Sequence, residues 1–274
     1  MSPQPPDLAR LVRALLDEWD LVVDGASPAG PSAIVPVLTA DGPAALKVAP
    51  PDEARHEALA LQHWHGRGAA RLLRADPRRG ALLLERLSTR DLTGEWDVEA
   101  CELVAGLYGR LHVPAPPQLA RLSTYATGWA ADLAGSRSGA LPRRIVEQAA
   151  HLARAFAADP ATDGVMVHGD LHYGNVLAGD RQPWSVISPR PLSGDPHAEV
   201  TPLLSHRWDE VAASGDVRGT LRRRFHAVID TAGLDEERAR DWVIVREAAA
   251  TLAAGDRGTA RASIAVAVIK AVQE

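Results

Sequence analysis

The chain has 274 residues, 35 Asp and Glu against 30 Lys and Arg, and a formal net charge of −5. That length suits one large core or two lobes sharing a cleft, and two lobes is the expectation. The acidic balance gives no electrostatic reason to expect nucleic acid or an anionic membrane as partner, whereas a cationic small molecule fits it well.

Cys101 is the one cysteine, so no disulfide framework can form, and the opening MSPQPPDLAR has neither the basic flank nor the apolar run of a signal peptide. No apolar segment reaches the roughly 18 uninterrupted residues needed to cross a bilayer. These features predict a cytoplasmic protein, taken as a monomer. Of the 30 basic residues only Lys47 and Lys270 are lysines. A lysine kept against so strong a bias points to a task that arginine does not perform.

In chain order, Asp7 precedes Leu8, Leu11, Val12, Leu15, Leu16 and Trp19, apolar residues at helical spacing behind a capping carboxylate. Three β-prone runs follow, Leu21 to Val23, Ile34 to Leu38 and Ala44 to Val48, separated by turn residues such as Asp41-Gly42-Pro43. They predict three antiparallel strands. Asp52 is expected to cap a helix from Glu53 to about Trp64, and a strand, an Asp76-Pro77 turn and a second strand complete a small unit.

From Val98 the pattern becomes helical. VEACELVAGLYGRLH, PRRIVEQAAHLARAFAAD, Asp241 to Ala254 and Arg257 to Val272 repeat apolar residues at three and four. The β interruption is Gly164 to Val167, the loop VHGDLHYGNVL, and Trp184 to Ile187. A sheet-rich lobe over 1–88 is thus joined through LLLERL to a mainly helical lobe over 89–274, an architecture with a natural cleft.

VHGDLHYGNVL carries the chemistry. A loop held by strands at both ends can aim Asp170 and Asn175 at one spot, which suits a base for a hydroxyl proton beside an oxygen ligand for magnesium. The competing use of His168 and His172 as a zinc pair meets Gly169 and Gly174, which oppose a helix, and lacks a third ligand nearby. The run resembles the HGDLHxxN catalytic loop of the aminoglycoside phosphotransferases, relatives of the protein kinases, whose own loop reads H-R-D-x-x-x-x-N. LLLERL, LYGRLHVPAP, PRPLSGDP and LLSHRWDE extend the likeness over nearly the whole chain, toward the streptomycin 6-phosphotransferase branch that includes hydroxyurea phosphotransferases.

The resemblance implies an α+β, protein-kinase-like fold, with a nucleotide-binding lobe over 1–88 and an acceptor-binding lobe over 89–274. It implies ATP and Mg2+, with Asp170 as the catalytic base and Asn175 as a metal ligand. Lys47, in the apolar strand Ala44 to Val48, would reach the ATP phosphates and be held by a glutamate of the next helix. Spacing alone leaves Glu53 and Glu57 open, since they share a helix face; the family pattern His56-Glu57-Ala58-Leu59 selects Glu57. Backbone groups from Glu85 to Leu87 would pair with adenine. The turn Gly25 to Ser32 stands where a phosphate-covering loop would lie, although Pro28 and Pro31 lack donors. For a cationic acceptor, Asp209 and Glu210 are the candidate anions.

Two positions depart from the family. Ser188, in Val186-Ile187-Ser188-Pro189, stands where a metal-binding aspartate is expected, and Glu199 stands where another aspartate is usual. A neutral hydroxyl in place of a carboxylate predicts impaired turnover, or a nucleotide- or drug-binding protein without catalysis. Asp195 is the nearest carboxylate in sequence and already matches a second family aspartate.

Overall fold

The computed structural model describes residues 6–27, 32–255 and 258–273. The chain divides into two compact units, Met1–Asp91 with Val176–Arg190, and Leu92–Asn175 with Pro191–Glu274.

The first unit begins with helix α1 (Pro6–Glu18) and strands β1 (Val22–Val23), β2 (Ala33–Thr39) and β3 (Gly42–Val48). Alternation along β2 turns Ala33, Val35 and Val37 inward, where Ala44, Leu46 and Val48 of β3 and Leu15 and Trp19 of α1 complete a core. Helix α2 (Pro51–Trp64) starts earlier than expected: Pro50 is its N-cap and Asp52 lies in the first turn, paired with Arg55 at 2.7 Å. Pro51, preset for helix and lacking the N–H that a helix start leaves unused, fixes that boundary.

Strands β4 (Leu72–Asp76) and β5 (Ala81–Glu85) finish an antiparallel sheet of order β1-β2-β3-β5-β4. Gly80 turns between them at φ 72°, and a Cβ there would stand 1.9 Å from the Ala49 carbonyl oxygen, so no side chain fits.

In the second unit come α3 (Asp97–Leu111), β6 (Val113–Pro114), α4 (Leu122–Gly135), α5 (Arg143–Ala158) and β7 (Val165–Val167). The chain then forms the hairpin β8 (Val176–Ala178) and β9 (Trp184–Val186), which belongs to the first unit. Backbone bonds hold it there: Ala178 N–H donates to Arg90 O, Val186 N–H to Gly68 O, and Ala70 N–H to Val186 O, at 2.9 to 3.0 Å.

Strand β10 (Leu192–Gly194) returns to pair with β7, itself paired with β6. Helices α6 (Thr201–Ser205), α7 (Trp208–Ala213), α8 (Val217–Ala232), α9 (Glu236–Ala253) and α10 (Gly258–Gln273) follow. Small residues let these helices pack closely, with Ala149 of α5, Ala248 of α9 and Ala265 of α10 sharing a core with Ile145, Ile244 and Ile269. Phe156 and Trp242 stack at 3.9 Å beside it.

Helices α4 and α8 lie outside the segments that periodicity singled out. Helix α9 begins five residues before the expected Asp241, where Asp235 accepts a hydrogen bond from the Arg238 N–H. Among the described residues no helix is long and apolar enough to cross a membrane.

Candidate active site

In the first unit, β3 carries Lys47 between Ile34 of β2 and Leu82 of β5, and the residue is only 7% exposed. An ammonium so enclosed needs anionic and hydrogen-bonding partners. Glu57 of α2 supplies them, with Lys47 Nζ 2.9 Å from Oε1 and 2.8 Å from Oε2. Glu53, its rival by spacing, is exposed. Burial raises the Glu57 carboxyl above its ordinary value, opposed by the charge and hydrogen bond of Lys47.

The same ammonium donates to Ser188 Oγ at 2.9 Å. Ser188 has φ 54°, a left-handed conformation that aspartate and asparagine adopt more readily than serine.

Glu85 and Leu87 follow β5 in the same unit. Arg181 holds the Glu85 carboxylate at 2.5 Å and 3.0 Å, and the Glu85 N–H donates to Arg71 O at 2.9 Å. Among the groups expected to meet adenine, that N–H is already engaged. Of the turn Gly25 to Ser32, residues 28–31 lie outside the described residues.

In the second unit the loop after β7 is fastened from below. Glu199, fully buried, accepts from the His168 N–H at 2.9 Å and the Gly169 N–H at 2.7 Å, and His112 Nε2 stands 3.4 Å away. Burial pushes its carboxyl up, but the hydrogen bond and charge of His112, with the charge and N–H of His168, outweigh that and bring it down to about 2. Arg246 of α9 adds a bond to the Gly169 carbonyl at 3.2 Å. These anchors set the path of the chain into Asp170, which is half-buried.

Asn175 ends the loop. Its Nδ2 donates to the Asp170 carbonyl at 2.7 Å and lies 3.1 Å from His172 Nε2, so both contacts use the end of the amide that a cation does not. His168 and His172 serve different neighbours: His168 Nδ1 accepts from the Asp170 N–H at 3.3 Å, and the His172 ring stacks on His206 at 4.4 Å. Asp195 is buried and uses both oxygens, one on His197 and the other on Arg238 and Trp242.

Asp209 and Glu210 are exposed on α7. Glu210 is paired with Arg207, whose hydrogen bond lowers its carboxyl, and lines a surface cavity of about 540 Å³ with Trp96, Asp97 and Arg224. Sequence reasoning noticed Glu199 only as a departure and did not find Arg246. The run Ser193-Gly194-Asp195-Pro196 and the helical phase of α9 held no mark that either side chain would reach the loop.

An antiparallel sheet carrying a lysine bonded to a helical glutamate, and a helical unit carrying an Asp-to-Asn loop after a short strand, define a protein-kinase-like phosphotransferase. The fold agrees with the crystal structure of the aminoglycoside phosphotransferase APH(4)-Ia, at a TM-score of 0.62 and 14% identity over 96% of this chain and 99% of that one. The model of the aminoglycoside/hydroxyurea antibiotic resistance kinase family matches residues 18–258. A streptomycin 6-kinase of Streptomyces glaucescens is 41% identical over 254 residues, 87% of this chain and 80% of its own. A hydroxyurea phosphotransferase of Kitasatospora aureofaciens is 42% identical over 246 residues, 86% of this chain and 69% of its own. The chain belongs to the aminoglycoside/hydroxyurea antibiotic resistance kinase family.

Proposed function

We propose that this protein moves the γ-phosphoryl group of ATP to a hydroxyl of a cationic aminoglycoside, streptomycin or a near relative, and that Ser188 slows it. The observation that carries the reading is the 41% identity to a streptomycin 6-kinase. The buried Lys47–Glu57 pair supports it physically, because a fixed ammonium suits a polyphosphate.

In this reading residues 1–88 bind nucleotide, with Lys47 on the phosphates, Glu57 holding it, and backbone near Glu85 and Leu87 on adenine. Residues 89–274 bind the acceptor, with Asp209 and Glu210 as exposed anions available to its cations. Asp170 takes the proton of the acceptor hydroxyl as the new O–P bond forms and the bond to ADP breaks. The reading includes a cytoplasmic monomer.

A kinase of this class implies a divalent ion, usually magnesium, and the donors for it fall short. Magnesium is commonly bound through one or two carboxylates together with substrate phosphates. Asn175 offers one amide oxygen, and Ser188 one neutral hydroxyl that already accepts from Lys47. These two residues as they stand do not fit a firmly held magnesium ion, and Asp195 has no oxygen to spare. The loss is on the order of several kcal/mol of transition-state stabilisation, about a thousandfold in rate.

The test is transfer of radiolabelled phosphate from ATP to streptomycin, beside Ser188→Asp. The variant is expected to be about a thousandfold faster. Equal inactivity of both proteins with every aminoglycoside tried would defeat the acceptor assignment, and transfer to hydroxyurea alone would replace it. A second reading, a nucleotide- or drug-binding protein without turnover, is favoured by the Lys47–Ser188 bond; calorimetry would then find uptake of ligand and no transfer in either protein.

A further inference from the structure

Trp96 stands where stability gives it no reason to be. It is the N-cap of α3, a position that favours serine, threonine, aspartate or asparagine, whose oxygens accept from the N–H groups left open at a helix start, and its side chain makes no such bond. It is also the most exposed large apolar residue among those described, at 77%. One position thus forgoes a cap and leaves a broad aromatic face in water.

That residue borders the cavity of about 540 Å³, whose lining lies wholly in the helical unit. Charges in the lining balance, with Glu95, Asp97 and Glu210 against Arg207, Arg223 and Arg224. Arg224 pairs with Asp97 at 2.7 Å and Arg207 with Glu210, and both arginines also donate to backbone carbonyls. The pairs do not exhaust their carboxylates, since each can accept about four hydrogen bonds. Arg223, with its side chain 58% exposed, meets only Thr220 and Asp216 among the described residues and keeps donors to spare.

An aromatic face beside a wall of balanced charge, rich in both donors and acceptors, matches a sugar ring. The C–H face of such a ring covers the indole while its hydroxyl or amino groups exchange hydrogen bonds with the wall. A wholly apolar ligand would cover the ion pairs without offering them partners. The wall also reaches the loop after β7: the guanidinium carbons of Arg207 and Arg224 lie 5.6 Å and 5.8 Å from the centre of the Tyr173 ring, and Tyr173 falls between Asp170 and Asn175. Cavity and loop therefore rest on the same two side chains.

We infer that Trp96 is a specificity-determining residue, on which a sugar ring of the acceptor stacks within this cavity. This rests on the phosphotransferase reading above. The forgone cap and the exposed indole then have one explanation, which is that the residue serves a ligand and not the helix.

The test is calorimetric titration of the full chain, the parent beside Trp96→Ser and Trp96→Phe, with streptomycin and with streptidine, the guanidine-bearing cyclitol of streptomycin without its two sugars. ATP titration and thermal unfolding serve as controls. Trp96→Ser is expected to weaken streptomycin binding roughly 3- to 10-fold and to leave streptidine and ATP affinities unchanged. Its melting temperature should not fall, because serine supplies the missing cap. Trp96→Phe, which keeps an aromatic face, should retain most of the streptomycin affinity. Unchanged streptomycin affinity in Trp96→Ser, or equal weakening of streptidine, overturns the inference and leaves the phosphotransferase reading standing. So does a weakening that comes with a lowered melting temperature and is not restored in Trp96→Phe, which would mark a structural role. Failure of the parent protein to bind any aminoglycoside while binding ATP overturns both.

Discussion

Glu57 and Glu199 are both glutamates almost wholly removed from water, yet burial wins at one and loses at the other. At Glu57 the carboxylate has one ammonium, shared with Ser188, and its pKa ends above the ordinary value. At Glu199 two backbone N–H groups and His112 converge, and the carboxyl falls to about 2. The lesson is that the number and fixity of donors, more than depth, decide whether an enclosed charge is comfortable. In the proposed reading, a pair built from two side chains leaves the lysine able to turn to a nucleotide's phosphates. A carboxylate bonded to backbone N–H groups fixes the path of the loop after β7.

The largest effect should come from removing the better-satisfied charge. Glu199→Ala would leave two enclosed N–H groups of the loop after β7 without acceptors, and we expect about 3–5 kcal/mol of lost stability. Urea unfolding measures it, and a loss under 1 kcal/mol would mean the loop does not depend on this anchor. Next comes acid. The folded pKa of Glu199 lies below its ordinary 4.5, so its contribution is complete above about pH 4.5 and is lost as pH falls toward 2. The interval is worth about 3 kcal/mol. Unfolding free energy followed from pH 6 to pH 3 should therefore decline, and in Glu199→Gln that decline should flatten.

Lys47→Met should cost least in stability, about 1–3 kcal/mol, because Glu57, its pKa already raised, can take a proton. The sign is opposite to that at Glu199: a raised carboxyl is a burden when ionised, so the variant's deficit should shrink as pH falls. Phosphate transfer should drop to background in the same variant. Equal deficits at pH 5 and pH 8 would contradict the contrast between the two glutamates.

The loop Val167 to Leu177, the lone Lys47 in an apolar strand and the serine at 188 are local patterns, and each could be read from neighbours in sequence. So could the strands β2, β3 and β5, short apolar runs bounded by turn residues, of which β2 alternates. Helix α4 was harder, because Ser123, Thr124, Thr127 and Gly128 dilute its apolar stripe, and α8 carries Gly219 and four arginines in its first eight residues. The start of α2 went to Pro51 rather than Asp52 because a fixed backbone angle outranks a capping side chain.

By itself the sequence determined which residues have chemistry to offer: a carboxylate at 170, an amide at 175, an ammonium at 47 and a hydroxyl at 188. Its family likeness determined the kind of reaction. Only the tertiary structure decided which charges meet. It chose Glu57 over Glu53, engaged Glu85 with Arg181, hung the loop after β7 from Glu199, and paired the enclosed Glu247 with Arg261. The reason is physical: an acid's identity is a property of one residue, whereas its protonation and partner depend on donors brought from elements tens of residues away.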